Sequence, residues 1–435
     1  MTSLAIVLPV LKCPTCATSH WRVAETTDRA ATVTCVGCAR SHRFERGILW
    51  VNVLAEHVDA VRERLAVAPT ELVPELGGWT QRYQGVDVTD TALLNAYLSL
   101  PYGDGSSHFT TPGYFANVGR FAKEFDFIAG QLPTRGLGLD IGADGTWSTA
   151  RLAARGLTCI ALDITDHLVL GELYQTQYPE YARMNVDMHE DVFVDECFDV
   201  VTAFNALHHS KRLTSIAERI AAVLKPGGTL GFVEPYVQNA AQEDAFGAPQ
   251  SAVGISENIH TIPEWHDAFV AAGLSLIAFA TSDAFSAIYR KLDNAEIDRR
   301  EPLRMDADGC FVHYYQALLD AEPSAVYVTP GQAQVFKVRV TNNSAAAWAT
   351  RGPHPVAISY HVEQVDGDGP RMVAFDNPRT SIDGFVAPKD SQLFEVPVQL
   401  PEPGAYRIEF DLVHELRSWF KDRGGRTAVV TCEVR

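Results

Sequence analysis

The chain has 435 residues, 46% hydrophobic and 21% charged, an ordinary globular composition that excludes long-range disorder and suits two to four domains. Its 36 basic residues face 54 acidic ones, and the resulting net charge of −18 repels a phosphate backbone, so nucleic acid is not expected as a general partner. No apolar run reaches the roughly 18 residues of a membrane span, so no membrane insertion is expected.

Residues 4–11 (LAIVLPVL) read as a strand of the first domain rather than a signal segment. No basic stretch precedes them and no small-residue cleavage site follows. Residues 1–52 are locally positive, with Lys12, Arg22, Arg29, Arg40, Arg43 and Arg46 against Glu25, Asp28 and Glu45. Within them stand Cys13-Pro14-Thr15-Cys16 and Cys35-Val36-Gly37-Cys38, 18 residues apart. Two such knuckles offer four thiolates in a tetrahedron, the set that suits structural Zn²⁺ and leaves no position open for catalysis. His20 and His42 lie nearby, but Cys13, Cys16, Cys35 and Cys38 already complete the shell. Cys159, Cys197, Cys310 and Cys432 stand singly in apolar surroundings and read as core residues. This is metal-site arithmetic rather than a disulfide framework, and it points to a reducing, cytoplasmic compartment.

Residues 53–104 read as a helical cap or linker, ending in a turn-rich stretch at 101–107. From 105 to 321 strands and helices alternate. Strands are expected at 138–141, 158–162, 200–204 and 229–233, and helices at 149–155 and 214–224. This alternation predicts an α/β doubly wound (Rossmann-like) core. From 322 to 435 the period becomes two: Phe336, Val338 and Val340 alternate with polar residues, as do Ile408, Phe410 and Leu412. Turn signals separate the runs, which predicts a β-sandwich.

Gly138-Leu139-Asp140-Ile141-Gly142-Ala143-Asp144-Gly145 is a strand entering a glycine turn ahead of a helix. Glycine admits close approach and positive φ, and the helix start offers free N–H groups to an anion. The full dinucleotide spacing GxGxxG is absent. Asp163 ends the next strand about 20 residues on, where a carboxylate reaches ribose hydroxyls in either cofactor class.

The motifs that follow, Asn185-Val186-Asp187-Met188, Phe198-Asp199-Val200-Val201 and Leu224-Lys225-Pro226-Gly227-Gly228, complete a series. In this order it resembles the class I S-adenosylmethionine methyltransferases over about 150 residues. The resemblance implies that Asp140, Gly142, Ala143, Asp144 and Gly145 line the methionine part of the cofactor. It implies that Asp163 holds the ribose, and that Asp187 and Met188 contact adenine. Phe204 and the stretch through His208 and His209 would flank the reactive methyl. Lys225 to Gly228 is a structural turn. One departure stands out: Asp144 occupies a position that is usually glycine. A shift of the turn by one residue, through Gly145, would restore the fit; otherwise the side chain would crowd the cofactor or repel its carboxylate, which keeps a weak or degenerate site among the alternatives. The CPTC and CVGC pairs followed by Arg46-Gly47-Ile48-Leu49 resemble the small zinc ribbon that accompanies many methyltransferases.

A hydroxyl acceptor needs its proton removed. Candidates are His208, His209 and His260, the last in Asn258-Ile259-His260-Thr261 before a helical pattern at 263–272. Tyr102, Tyr114 and Phe115 are candidates to cover the pocket. No motif for amino-directed nucleobase methylation is present. The C-terminal clusters around Trp348, Trp419 and Phe420 resemble an immunoglobulin-like domain of bacterial glycan-processing proteins. There the aromatics either fill the core or meet a glycan.

The sequence reading is therefore a methyl transfer from S-adenosylmethionine to a hydroxyl of a sugar, glycan or specialised metabolite, with Zn²⁺ structural. Two alternatives stand beside it: an RNA methyltransferase guided by the ribbon, and a non-catalytic scaffold with a degenerate cofactor fold.

Overall fold

A computed structural model describes residues 2–27, 30–51, 91–102, 121–210, 212–237, 258–281, 284–291, 314–344, 347–349, 355–366, 369–382, 385–386 and 389–435. Tyr114, Phe115, Cys310 and most of the expected cap lie outside these residues. Of that cap, Thr91–Ser99 is helical. The chain forms two compact units: Met1–Leu276 with Ala287–Glu301, and Ile277–Ser286 with Pro302–Arg435.

The apolar run at the N-terminus is a helix, Thr2–Val7, not the expected strand. Leu4 and Val7 are buried on one face of it at the helical i, i+3 spacing, whereas buried Leu11 lies beyond the helix. The ribbon strands follow: β1 (Trp21–Thr27), β2 (Ala30–Cys35), β3 (Ser41–Glu45) and β4 (Ile48–Trp50). They pair antiparallel in sequence order.

The core strands are β5 (Leu137–Ile141), β6 (Thr158–Asp163), β7 (Ala182–Asn185), β8 (Phe198–Phe204), β9 (Leu224–Glu234), β10 (Leu274–Thr281) and β11 (Phe285–Lys291). β5 to β8 are almost wholly buried and, outside β7 with its buried Arg183 and Asn185, mostly apolar, as strands covered on both faces require. Helices Trp147–Ala154, Leu213–Val223 and Ile262–Ala271 lie between them, and each buries a set of apolar residues. Thr261 starts the last of these with a capping box to Glu264. Trp265 and Phe269 of that helix pack with Phe232 of β9.

One 11-stranded sheet joins the ribbon and the core, in the order β1-β2-β3-β4-β7-β6-β5-β8-β9-β11-β10. The ribbon is thus continuous with the core: β4 lies parallel to β7. Arg183, buried in β7, donates to the Arg46 carbonyl at 2.7 Å and to the Leu168 carbonyl at 2.7 Å. From β4 through β9 all neighbours are parallel. The strand order reverses between β5 and β8. In doubly wound sheets, ligands bind at the carboxyl ends of the strands beside such a reversal.

The second unit is rich in strands. Ala317–Glu322, Ala333–Asn342 and Ser391–Gln399 form one sheet. Ala325–Val328, Ala428–Val434, Gly404–His414, Val356–Asp366 and Gly369–Ala374 run side by side in another. Phe336 of the first sheet packs on Phe410 of the second, with ring centroids 5.4 Å apart, so the alternating residues of both share a core. Trp348 and Phe420 are fully buried, and the Trp348 indole N–H donates to the Tyr314 carbonyl. Trp419 is half-buried, against His361 and the exposed ring of Phe375. Among the single cysteines, Cys159 and Cys432 are buried and Cys197 is half-buried. Among the described residues, no helix is long and apolar enough to cross a membrane.

Candidate active site

The carboxyl ends of β5 through β9 carry Asp140, Asp163, Asn185, Phe204 and Glu234. The Asp140 carboxylate is buried and accepts from Ser148 Oγ and Thr149 Oγ1 at 2.6 Å each, and from Thr202 Oγ1 at 2.8 Å. Burial pushes its pKa up, and these hydroxyls oppose that. Asp140 therefore ties the start of the helix to the strand ends and shapes the turn from below.

Gly142 lies at φ +68°, and a Cβ there would fall 2.2 Å from Ala206 Cβ. Its N–H and that of Ala143 donate to the Leu162 carbonyl at 2.8 and 3.0 Å. Asp144 is itself left-handed at φ +42°, and Gly145 is not, so the turn does not shift to Gly145. The Asp144 N–H donates to Asp163 Oδ2 at 2.8 Å, and its carboxylate pairs with His167 Nδ1. Short polar side chains tolerate this conformation, and the His167 ring holds the Asp144 carboxylate.

Asp163 accepts from the Thr165 N–H and hydroxyl at 2.8 Å each. Burial raises its pKa, and the neighbouring Asp144 charge raises it further. Asn185 donates to the Ile164 and Thr165 carbonyls, while its Oδ1 is buried without a hydrogen-bond partner among the described residues. Asp187 is buried and accepts the His189 N–H at 2.9 Å; Met188 beside it is half-buried. Phe204, at the end of β8, packs against Phe125 and Trp147.

Beyond Phe204 the chain turns through Asn205, at φ +59°, into the first two histidine candidates, His208 and His209. His208 is buried and its ring N–H at Nδ1 donates to Glu234 Oε2 at 2.7 Å. His209 is exposed, with its ring 4.1 Å from that of His208. Asn258 donates twice to the His208 carbonyl, bringing the segment that carries His260 to the same edge. His260 stands edge-on to Trp265, and burial holds its pKa below the ordinary histidine value. The nearby Glu264 and Glu234 charges oppose that shift. Tyr102 is half-exposed and donates to Asp126.

The four ribbon thiols form a second site. Their sulfur atoms all lie within 4.8 Å of one another. Cys13 and Cys38 are 3.6 Å apart, and Cys16 and Cys35 are 3.5 Å apart. Tetrahedral Zn–S bonds of about 2.3 Å set sulfur edges of about 3.8 Å, so the set fits this ion. The knuckles match in their turns: Ala17 at φ +59° and Ala39 at φ +62° follow the second cysteine of each pair. Their N–H groups return to the carbonyls of Cys13 and Cys35.

Residues 139–232 match the family described as a methyltransferase domain. The chain carries an S-adenosylmethionine-dependent methyltransferase domain. Among relatives, it is 32% identical over 108 residues to the biotin biosynthesis bifunctional protein BioHC of Cellvibrio japonicus, covering 25% of this chain and 21% of that protein. It is 29% identical over 109 residues to the ubiquinone biosynthesis O-methyltransferase of Xanthomonas campestris pv. campestris, covering 24% of this chain and 46% of that protein. The chain thus spans less than half the length of these curated relatives. Among solved structures, a putative methyltransferase from Bacillus halodurans C-125 aligns at TM-score 0.34 and 17% identity, over 40% of this chain and 100% of that one.

The methyltransferase domain presents residues that fit its cofactor. The buried acceptor Asn185 Oδ1, which lacks a hydrogen-bond partner among the described residues, lies at the strand end between Asp163 and Asp187. Those carboxylates and this amide oxygen are acceptors of the kind that ribose hydroxyls and an adenine amino group require.

Glu234 escaped the sequence reading. It follows an apolar strand in Gly231-Phe232-Val233-Glu234-Pro235, and a charged residue ending such a run was its one signal. It is fully buried and accepts the N–H groups of Ala206 and Leu207 as well as the His208 ring. Asn185 opened a quoted motif but was given no role there, and His167 was passed over because no spacing marks it.

Proposed function

We propose that this chain transfers a methyl group from S-adenosylmethionine to a hydroxyl of a sugar, glycan or specialised metabolite. The observation that carries the choice of acceptor is the meeting of His208, His260 and Glu234 at the edge beyond Phe204. A hydroxyl must lose its proton as it is methylated, and neutral imidazole is suited to accept it near pH 7. Burial keeps His260 on the neutral side.

S-adenosylmethionine supplies an electrophilic methyl on a sulfonium. Asp163 and Asn185 hold the ribose side, and Asp187 with Met188 holds the adenine side. Asp140 acts indirectly, by fixing the turn from Gly142 to Gly145. Phe125, Trp147 and Phe204 form an apolar wall that keeps water from the methyl, and alignment supplies much of the acceleration. The ribbon is a structural zinc centre. The second unit is an immunoglobulin-like domain, and half-buried Trp419 with exposed Phe375 is the aromatic pair suited to a glycan. The free cysteines accord with a reducing, cytoplasmic setting.

The test is calorimetric titration of zinc-loaded protein with S-adenosylmethionine and S-adenosylhomocysteine, beside Asp163→Ala. An acceptor screen with nucleotide sugars and glycans follows. Binding that weakens in the variant, and methyl incorporation into one of these pools, is the expected result. A folded protein that binds neither ligand would overturn the reading.

A further inference from the structure

Two pieces of the ribbon pair with the core on either side of the Asp187 loop. On one side β4 runs parallel to β7, with Ile48 opposite Arg183 and Trp50 opposite Asn185. There the Val51 N–H donates to the Asn185 carbonyl at 3.0 Å. On the other side Leu11 bridges Phe193, the Lys12 N–H donates to the Val192 carbonyl at 2.7 Å, and the Val194 N–H donates to the Val10 carbonyl at 3.0 Å. Lys12 Nζ also lies 2.7 Å from Asp191. Residues 186–191, which carry Asp187 and Met188, are strung between these two attachments.

The thiol cluster connects them. Cys13 directly follows Lys12, and Cys35 ends β2, which leads through β3 to β4. A metal bound by both would tie one attachment to the other across the ribbon. The loop also reaches the histidine segment, because His189 Nε2 lies 3.0 Å from Ser210 Oγ.

We infer that the ribbon is a positioning element of the cofactor site. Its metal centre clamps the two attachments together and so holds the Asp187 loop in its binding shape. Metal loss then weakens cofactor binding at a site that contains none of the metal's ligands. This rests on the reading of Asp187 and Met188 as cofactor contacts. Each attachment is marginal alone, one a three-residue strand and the other a single bridge. A ribbon this small has little core of its own and takes its order from the metal.

The test uses the full-length chain, zinc-loaded, stripped by chelator, and as Cys16→Ser. Amide hydrogen exchange is followed at 186–194 and at Phe198–Phe204 as an internal control, with S-adenosylhomocysteine affinity measured by calorimetry. Zinc withdrawal should speed exchange at 186–194, leave Phe198–Phe204 protected, and weaken the ligand about tenfold, within the usual range for coupled sites. Zinc should restore both in the unaltered chain but not in Cys16→Ser. Lys12→Pro removes the N–H that reaches Val192 and keeps all four thiolates; it should loosen 186–194 with zinc content unchanged. Unchanged exchange at 186–194 after zinc loss overturns the inference. So does loss of protection at Phe198–Phe204 as well, since the metal would then hold the whole core. If the zinc-loaded chain binds no S-adenosylhomocysteine, the cofactor reading fails, and the exchange result still decides the clamp.

Discussion

Glu234 holds His208 by its ring and the loop before it by the backbone. One carboxylate oxygen accepts from the His208 Nδ1–H at 2.7 Å, and the other accepts from Ala206 and Leu207 N–H at 2.9 and 2.7 Å. The His208 backbone N–H also reaches Oε2 at 3.4 Å, so truncation to alanine leaves four buried donors without this acceptor. Glu234→Ala should cost about 3 kcal/mol or more in urea unfolding, the usual loss when a buried charged partner is removed. Glu234→Gln keeps one oxygen for the backbone and should cost about 1–2 kcal/mol. An alanine variant as stable as the parent would sink this account.

Asp163 should make cofactor binding depend on pH. Its folded-state pKa is raised by burial and by Asp144, so the folded chain favours the protonated form. That contribution to stability is full at acid pH and is lost as pH rises through the folded pKa. Hydroxyl donors from a ribose favour the ionised form instead. Binding of S-adenosylhomocysteine should therefore release a proton, and affinity should fall as pH drops below the raised pKa. Calorimetry in two buffers of different ionisation enthalpy measures the proton count. Asp163→Asn should abolish the release; its persistence there would assign the proton elsewhere.

Gly142 is constrained twice, by its left-handed backbone and by Ala206. Gly142→Ala should destabilise the domain by about 3 kcal/mol or more, from roughly 1–2 for the backbone and the remainder for overpacking. Adding Ala206→Gly removes the atom that a new Cβ would strike at 2.2 Å. The double variant should recover the overpacking part and leave the backbone part. Additive losses in thermal unfolding would refute the clash.

In the second unit the tryptophans should part company. Trp348 is wholly buried and hydrogen-bonded, so Trp348→Ala should cost about 3–5 kcal/mol. Trp419 is half-buried at the surface, and Trp419→Ala should cost well under that while weakening any glycan that binds the unit. Glycan-array binding and denaturant unfolding, read together, separate the two roles.

Much of this was legible along the chain. The order of the core motifs, the two cysteine knuckles and the switch to period-two alternation after 322 are local signals, and local signals report local structure. Gly142 could be picked out because only glycine serves where backbone and neighbour both crowd. The N-terminal helix was misread because a short apolar run carries little period, although Leu4 and Val7 did hold the helical spacing.

Tertiary structure alone decided what stands beside what. Glu234 and His208 lie 26 residues apart and meet because β8 and β9 are parallel neighbours ending at the same edge. Asp144 is tolerated in the turn because His167, 23 residues later, pairs with it. The ribbon continues the core sheet because β7 offers β4 an open edge, and an edge strand takes whatever pairs with it. Spacing names the groups that can do chemistry; the pairing of distant strands determines which of them share a site.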